Sequence, residues 1–461
     1  MHPVLVTICE AIRGTPFEGD LFLVGGAVRD GILHPERPLG DDLDLVTRGS
    51  SAELARLLWE KGLSSIPPVT YERFGTAMVR IDGIAVELVT ARKESYDAGS
   101  RKPNVVAATY LEDALRRDFT VNALMQPLDG GPIFDPLGTS LADLAAGVLR
   151  TPLDPAETFR DDPLRMLRAI RFRWKLGFQP APELYPAITA TRDRLQIVSF
   201  ERIRDEVVKM LLGRDPDEAL RELMDLGFFG HLAPEFESML GCLQGDYHHL
   251  DVWDHTRLVV KNMARLTADF EPEVRMFGML AALFHDIGKP PTRMIDKNGH
   301  IRFFTHEVVG AEMVRAILRR WKMSEREIGV VALLVKSHHR LFTSETFSTA
   351  AARRVVRDLG EWTELLLTLV AADIASLRPG IEVGDLRPIR AKIAEVGIAT
   401  PPRAFQSPLD GQAIMALTGL PAGPEVGRLK GLVEERVIEG EFGPEDADAA
   451  RAWLISYLAG E

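Results

Sequence analysis

The sequence predicts an α+β chain, with a small mixed-sheet head followed by a mostly helical body. Three observations carry that reading. Short runs with β character, LFLV at 21–24, LDLV at 43–46, AMVRI at 77–81 and IAVELV at 84–89, are confined to the first 150 residues. From about Thr158 the apolar spacing turns helical, as in DDPLRMLRAIRFRWKLGF. Composition agrees: of 461 residues 46% are hydrophobic, 26% charged and 7% aromatic, which excludes a disordered or collagenous chain and an aromatic-rich β protein.

In the head, LFLV runs into Gly25-Gly26 and AVRDGIL, the pattern of strand, glycine turn and helix. Asp82-Gly83 joins the two later runs as a hairpin. The proline-containing linker at 151–155 closes the head at residue 150, and a helical neck follows over 151–240, with Gly177 as a helix stop. Histidines cluster after Gly241, and a second helical block spans 241–395. A break at Pro401-Pro402 falls within the last region, 396–461, a helical tail. At roughly 150 residues per domain the length suggests about three domains.

Cys9 and Cys242 lie far apart with no C-x-x-C pair, which argues against a disulfide framework or a zinc ribbon. The N-terminal segment lacks a basic region ahead of a long apolar run, and no apolar stretch reaches membrane-spanning length. The expectation is a soluble, cytoplasmic protein without a membrane partner. The net charge of −12 disfavours a polyanion ligand taken over the whole surface, but the charge is uneven. Residues 160–214 hold 12 lysines and arginines against 7 acids, whereas 421–461 hold 4 against 9. Solvated helix faces would give the same basic cluster, so charge alone leaves the ligand open.

The sequence GDDLDLV places Asp42 and Asp44 on one face of a strand-like run, about 7 Å apart along the backbone, with Asp41 opposite. Such a pair suits Mg²⁺, which takes a few carboxylates and completes its shell with water and phosphate oxygens. Ions held there could activate a hydroxyl and neutralise leaving pyrophosphate. On this pair alone, an acidic turn entering a strand is the alternative. The turn Gly25-Gly26 offers backbone N–H groups at a helix start as a triphosphate cradle, with Arg29 adding charge.

LVGGAVRDGIL, a spacer and DDLDLV, in that order, resemble the nucleotidyltransferase superfamily related to DNA polymerase β. More narrowly, the head resembles the bacterial tRNA nucleotidyltransferase and poly(A) polymerase family, whose members add nucleotides to RNA 3′ ends. LEDALRRDFTVNALM at 111–125 is similar to the family's R-R-D-F-x-x-N-A-L motif. The resemblance implies contacts from Arg117, Asp118 and Asn122 to the sugar and phosphates, with Gly25, Gly26, Arg29 and Asp30 in the same nucleotide site. Asn122 follows Asp118 by four residues, on one helical face if the segment is a helix.

DDPLRMLRAIRF resembles the E-D-x-x-R base-selecting motif, with Asp161 where the family has Glu. Asp162 and Arg165 would be i, i+3 partners on a helix, presenting an acceptor and donors to cytosine or adenine in place of a template. Arg168 and Arg171 continue the stripe toward triphosphate or primer backbone, and Glu87 is a candidate third carboxylate. SYDAGSRKPNVVAATY at 95–110 stands where the family has a flexible loop associated with switching from C to A addition. Its full length favours complete CCA addition over CC-only addition.

In the second block, His255 in VWDHT, His285-Asp286 in ALFHDIGKP and Asp373 in AADIASL resemble the ligand order of HD phosphohydrolases. Imidazole with carboxylate favours a transition metal such as Mn, Fe, Co or Ni, which would activate water against a phosphate ester. Lys289 is placed to stabilise phosphoryl oxygens. His306 and His338-His339 extend the pattern toward two-metal HD enzymes, while His248 and His249 read as structural. The tail string from Ser407 is similar to the family's C-terminal module, which would touch the tRNA elbow; the net −5 of residues 421–461 keeps a packing or dimer role open.

The resemblance implies a polymerase-β-like head, a mostly helical body with an all-α HD domain, and Mg²⁺-dependent addition of CCA to tRNA from CTP and ATP, with a companion phosphohydrolase. Within the class, a CC-adding enzyme, an A-adding enzyme or a poly(A) polymerase would share every head motif. A chain acting chiefly as an HD phosphohydrolase, or as a non-catalytic RNA binder, are the readings from other classes. The oligomeric state is left open.

Overall fold

The computed structural model describes residues 2–71, 74–95, 104–245, 248–341, 347–380, 385–399 and 406–460. Pro401-Pro402 and the centre of the 95–110 segment lie outside them. The chain forms two compact units, Met1–Ala233 and Pro234–Glu461.

The first unit is built on β1 (Leu21–Val24), β2 (Leu43–Thr47), β3 (Val69–Tyr71), β4 (Thr76–Ile81), β5 (Ile84–Thr90) and, after a separate hairpin of β6 (Arg92–Ser95) and β7 (Asn104–Ala107), β8 (Met125–Pro127). Six strands form one sheet in the order β3-β4-β5-β2-β1-β8. β2 and β5 pair in parallel and the remaining neighbours antiparallel, so the sheet is mixed. Along β2 the alternation of side chains buries Leu43 and Leu45 and turns Asp44 to the opposite face. The parallel register sets Asp44 beside Glu87. Asp82 and Gly83, at φ 50° and 83°, make the two-residue turn between β4 and β5.

Five helices accompany the sheet: α1 (Pro3–Ala11), α2 (Gly26–Leu33), α3 (Ser51–Glu60), α4 (Tyr110–Leu115) and α5 (Ser140–Ala146). The neck follows as α6 (Pro155–Asp161), α7 (Leu164–Leu176), α8 (Leu184–Thr191), α9 (Phe200–Leu211), α10 (Pro216–Asp225) and α11 (Phe229–Leu232). Asp154 caps α6 by accepting from the N–H groups of Ala156 and Glu157, and Gly177 ends α7 in the left-handed region at φ 72°. α7 buries Leu164, Leu167 and Ile170, each stabilising the fold by about 1.5–3 kcal/mol relative to exposure.

Two local expectations are corrected here. Asp162 and Arg165 do not share a helix: Asp162 is extended at φ −136°, ψ 99°, because Pro163 crowds helical backbone at the residue before it, and α7 starts afresh at Leu164. Nor do Asp118 and Asn122 lie on one α-helix, since α4 stops at Leu115 and only a short 3₁₀ turn spans Thr120–Asn122.

The second unit is helical: α12 (Val252–Leu266), α13 (Pro272–Phe284), α14 (Lys289–Thr292), α15 (His306–Arg320), α16 (Glu325–Ser337), α17 (Thr349–Leu359), α18 (Thr363–Ile374) and α19 (Leu386–Ala399), then α20 (Gly411–Thr418), α21 (Pro424–Glu439) and α22 (Ala447–Ala459). The last three share a small core of Ile414, Val426, Leu429, Val433, Ala450 and Leu454. Part of the tail's acid is answered inside the unit: Arg354 and Arg357 of α17 pair with Glu435, and Arg354 also with Glu439, at 2.7–3.0 Å. Among the described residues no helix is long and apolar enough to cross a membrane.

Candidate functional site

Every head residue singled out from the sequence lines one open cavity of about 960 Å³ in the first unit. Its lining includes Asp44 and Glu87, side by side on the sheet's two central strands β2 and β5, and Asp42 just before β2. Burial, with Glu87 and Asp42 nearby, pushes the Asp44 carboxyl up to about 6 against the pull of Arg117. Crowded carboxylates of this kind are a donor set for a hard divalent cation, whose charge would remove their mutual repulsion. Opposite them, Gly25 adopts φ 74°, ψ −139°, a backbone that glycine alone takes without strain. A Cβ on it would stand 3.7 Å from Asp44 Oδ2 and 3.9 Å from Arg117 Nη1, so the turn runs close to the Asp44 carboxylate.

The motif at 116–122 is a network rather than a helical face. Asn122 donates to Asp118 Oδ1 at 2.9 Å and accepts from Arg29 Nη1 at 2.5 Å. Arg168 grips Asp118 Oδ2 through Nε at 2.8 Å and Nη2 at 2.5 Å. Burial alone would raise the Asp118 pKa, but Arg168 and the Asn122 amide hold it down at about 2. A carboxyl depressed in the folded state contributes stability above its unfolded value of 3.8 that is lost as pH falls toward 2. The contribution is about 2 kcal/mol. Urea unfolding of the wild type against Asp118→Asn should therefore show a gap at neutral pH that narrows from about pH 4 downward; a gap independent of pH would contradict it.

Asp162 and Arg165 both reach the cavity, but from opposite sides of the helix break. Asp162 is held by Arg202 of α9, at 2.7 Å to Oδ2 and 3.3 Å to Oδ1, while Arg165 donates to the Arg116 carbonyl. Arg171 bonds Glu206 at 2.5 Å.

Sequence reasoning missed the groups that hold these residues. Asp113, fully buried, accepts from Arg116 Nη2 at 2.6 Å and Arg117 Nη2 at 3.1 Å, and those arginines hold its carboxyl below the usual range despite its burial. Its i, i+4 spacing to Arg117 was a usable signal. Arg202 and Glu206, on a helix some 40 residues beyond Asp162, gave none.

The second unit gathers the histidine set around Asp286. His255, His285 and Asp286 form one group of converging donor atoms and Asp286, His306 and His338 another, each within 4.8 Å, with all these side chains buried. His255 Nε2 meets Asp373 Oδ1 at 3.0 Å, and Lys289 Nζ pairs with Asp286 Oδ2 at 2.7 Å. His285, His306 and His338 each donate Nδ1–H to a carbonyl three residues earlier, Ala282, Phe303 and Val335, at 2.7–2.8 Å. A carbonyl can only accept, so each neutral ring carries its proton on Nδ1 and offers the Nε2 lone pair. His285 Nε2 is buried without a hydrogen bond, 3.1 Å from Asp286 Oδ2 but out of alignment. Burial, reinforced by His285, pushes His338 down to about 3 and keeps it neutral. Burial opposes ionisation of Asp286, yet His285 and Lys289 hold it well below the carboxylate range. Against the effect of burial, Asp286 raises the His285 pKa, whereas burial lowers those of His306 and His338. Converging imidazole nitrogens, a charged carboxylate and an orphaned buried nitrogen fit a metal centre, whose binding would displace any proton from His285 Nε2.

His339 is exposed and outside both groups, its ring 5.5 Å from that of His306. His248, expected to be structural, stands with its ring 4.6 Å from that of His255 and its Nδ1 buried without a partner.

Three family models match stretches of the chain. The model of the Poly A polymerase head domain matches residues 21–150, that of the "Probable RNA and SrmB-binding site of polymerase A" 177–240 and that of the HD domain 252–375. The chain is 33% identical over 449 residues to the CC-adding tRNA nucleotidyltransferase of Thermus thermophilus, covering 96% of this chain and 94% of that one. It is 35% identical over 451 residues to the A-adding tRNA nucleotidyltransferase of Deinococcus radiodurans, covering 94% and 95%. The fold is similar to that of the Bacillus stearothermophilus CCA-adding enzyme in complex with CTP, at a TM-score of 0.69 and 23% identity over 100% of this chain and 99% of that one. With near-full-length identity to two such enzymes and the motif residues gathered in a single cavity, the chain belongs to the tRNA nucleotidyltransferase family.

Proposed function

We propose that the chain completes tRNA 3′ ends with C, C and A, taking CTP and ATP without a nucleic-acid template, and that its histidine centre is a second, phosphohydrolase site. One observation carries the first part: Asp42, Asp44 and Glu87 face the Gly25 turn, Arg117 and the Asp162–Arg165 pair across one cavity. In this reading Asp42 and Asp44 hold Mg²⁺ with Glu87 beside them, and the ion supplies charge neutralisation for the triphosphate and activation of the attacking hydroxyl. Gly25, Gly26, Arg29 and Arg117 take the phosphates, Asp118 and Asn122 orient the sugar side, and Asp162 with Arg165 read the base. Residues 1–150 would carry the chemistry, 151–240 base choice and RNA contact, 241–395 the phosphohydrolase and 396–461 a tail. The tail's ion pairs with α17 support a packing role.

The histidine centre fits a transition metal, which His255, His285, Asp286, His306, His338 and Asp373 would hold and which would supply activation of water against a phosphate ester, with Lys289 beside the phosphoryl oxygens. A second reading, addition of CC or of A alone, is favoured by the names of the two full-length relatives. The deciding experiment offers three tRNAs, ending in the discriminator base, C or CC, with CTP, ATP or both. Completion of all three to CCA supports the proposal; addition of C only, or of A only to the CC end, replaces it with half of a split activity. Long A tails on unrelated RNAs would indicate a poly(A) polymerase.

Asp113 gives a further expectation. Asp113→Asn removes the charge that orients Arg117, and losing a charge-assisted bond of about 1.5–3 kcal/mol should raise KM for the nucleotide about tenfold or more. Steady-state kinetics in both nucleotides check this, and an unchanged KM would show that Arg117 needs no such support.

A further inference from the structure

Three guanidinium groups converge on one aromatic ring in the head cavity. Arg171 Cζ lies 4.3 Å from the centroid of Phe172, Arg29 Cζ 5.1 Å and Arg168 Cζ 5.4 Å. Arg29 comes from α2 and the other two from α7, so the ring is where the two helices bring their cations together. Phe172 is 5% exposed, lines the cavity and is braced edge-on by Phe119 at 5.7 Å.

Three like charges around one side chain repel. Their carboxylate partners, Asp30, Asp118 and Glu206, fix one edge of each guanidinium at 2.5–2.6 Å. The ring adds what an aliphatic residue of similar volume cannot: a negative π face within about 6 Å of each cation. An ordinary core phenylalanine is surrounded by apolar atoms, whereas this one is ringed by the charges that line the nucleotide cavity.

We propose that Phe172 is a positioning residue, holding Arg29, Arg168 and Arg171 in place for the triphosphate and the sugar through the electrostatics of its ring. The inference rests on the nucleotide-binding reading of this cavity. Its effect belongs in ground-state affinity, because the ring touches the arginines and not the reacting atoms.

The test uses the full chain with Phe172→Leu, Phe172→Tyr and a series carrying mono-, di- and trifluorinated phenylalanine at position 172. Fluorination drains the π face while nearly keeping shape. Binding of CTP and of ATP in Mg²⁺, KM and kcat for incorporation, and Tm are measured on each. Expected are Kd and KM rising stepwise with fluorination to about tenfold, kcat within about twofold, an unchanged Tm and near-wild-type behaviour of Phe172→Tyr. Affinity that is flat across the fluorinated series, or loss confined to kcat, overturns the inference while leaving the cavity's reading intact. A wild type that binds neither CTP nor ATP overturns both.

Discussion

Asp44→Asn is expected to lower nucleotide incorporation by about 10³-fold or more while changing CTP binding only a few-fold. Asp44 lies on β2 in register with Glu87 and beside Asp42, and is the most enclosed of the three. A cation held there stabilises charge that develops only in the transition state, an effect of several kcal/mol, and about 4 kcal/mol corresponds to 10³ in rate. Asparagine keeps the shape and removes the ligand charge. Single-turnover incorporation into a tRNA ending in the discriminator base measures the effect. A decrease of less than tenfold would mean that these carboxylates are not the metal-binding pair and would move the search for it elsewhere in the cavity.

Asp286→Asn should abolish metal uptake and phosphate-ester hydrolysis by the second unit, again by about 10³-fold or more, and leave incorporation within twofold. Asp286 is shared by both groups of converging donors and also carries the ion pair to Lys289, so no other side chain among the described residues touches as much of the centre. Metal content per chain, measured before and after chelation, reports the first effect, and release of phosphate from a 2′,3′-cyclic or terminal phosphate on RNA reports the second. Because a metal bound by these donors would bind the folded state alone, chelation of the wild type should lower Tm and metal should restore it, a stabilisation of about 2.7 kcal/mol at a hundredfold excess over Kd. Unchanged metal content in Asp286→Asn would remove the centre from consideration, and a parallel loss of incorporation would show that the variant fails as a whole.

The sheet, the neck and the histidine block were legible because each leaves a short-range mark: β runs with a two-residue turn at Asp82-Gly83, the Asp154-Pro155 start of α6, the Gly177 stop of α7. The site residues were legible as motif positions, and every one assigned to the head lines the same cavity. What misled was the assumption of continuous helix. Pro163 ends the helix at Asp162, and α4 ends before Asp118, so Asp118 and Asn122 meet through a local turn rather than along a helical face, and Asp162 is held by Arg202 of another helix. The supporting groups were hidden for a related reason. Arg202 and Glu206 act on residues in other elements, and separation in sequence carries no trace of such pairs. His339 shows the converse: adjacent in sequence to His338, it is rotated out of the centre because neighbours on a helical turn point in different directions.

The parallel pairing that sets Asp44 beside Glu87 also bears on how this enzyme tolerates heat. Two carboxylates on neighbouring central strands, with a third close by, make the middle of the sheet a place where the fold works against itself, and a cation bound there would relieve the repulsion. Removing one of the charges should make the protein hardier and idle: with divalent cations chelated, Asp44→Asn should unfold at a higher temperature than the wild type, and added Mg²⁺ should narrow or reverse that order. Selection for catalysis would then have kept a weakness in the sheet that selection for durability alone would have erased.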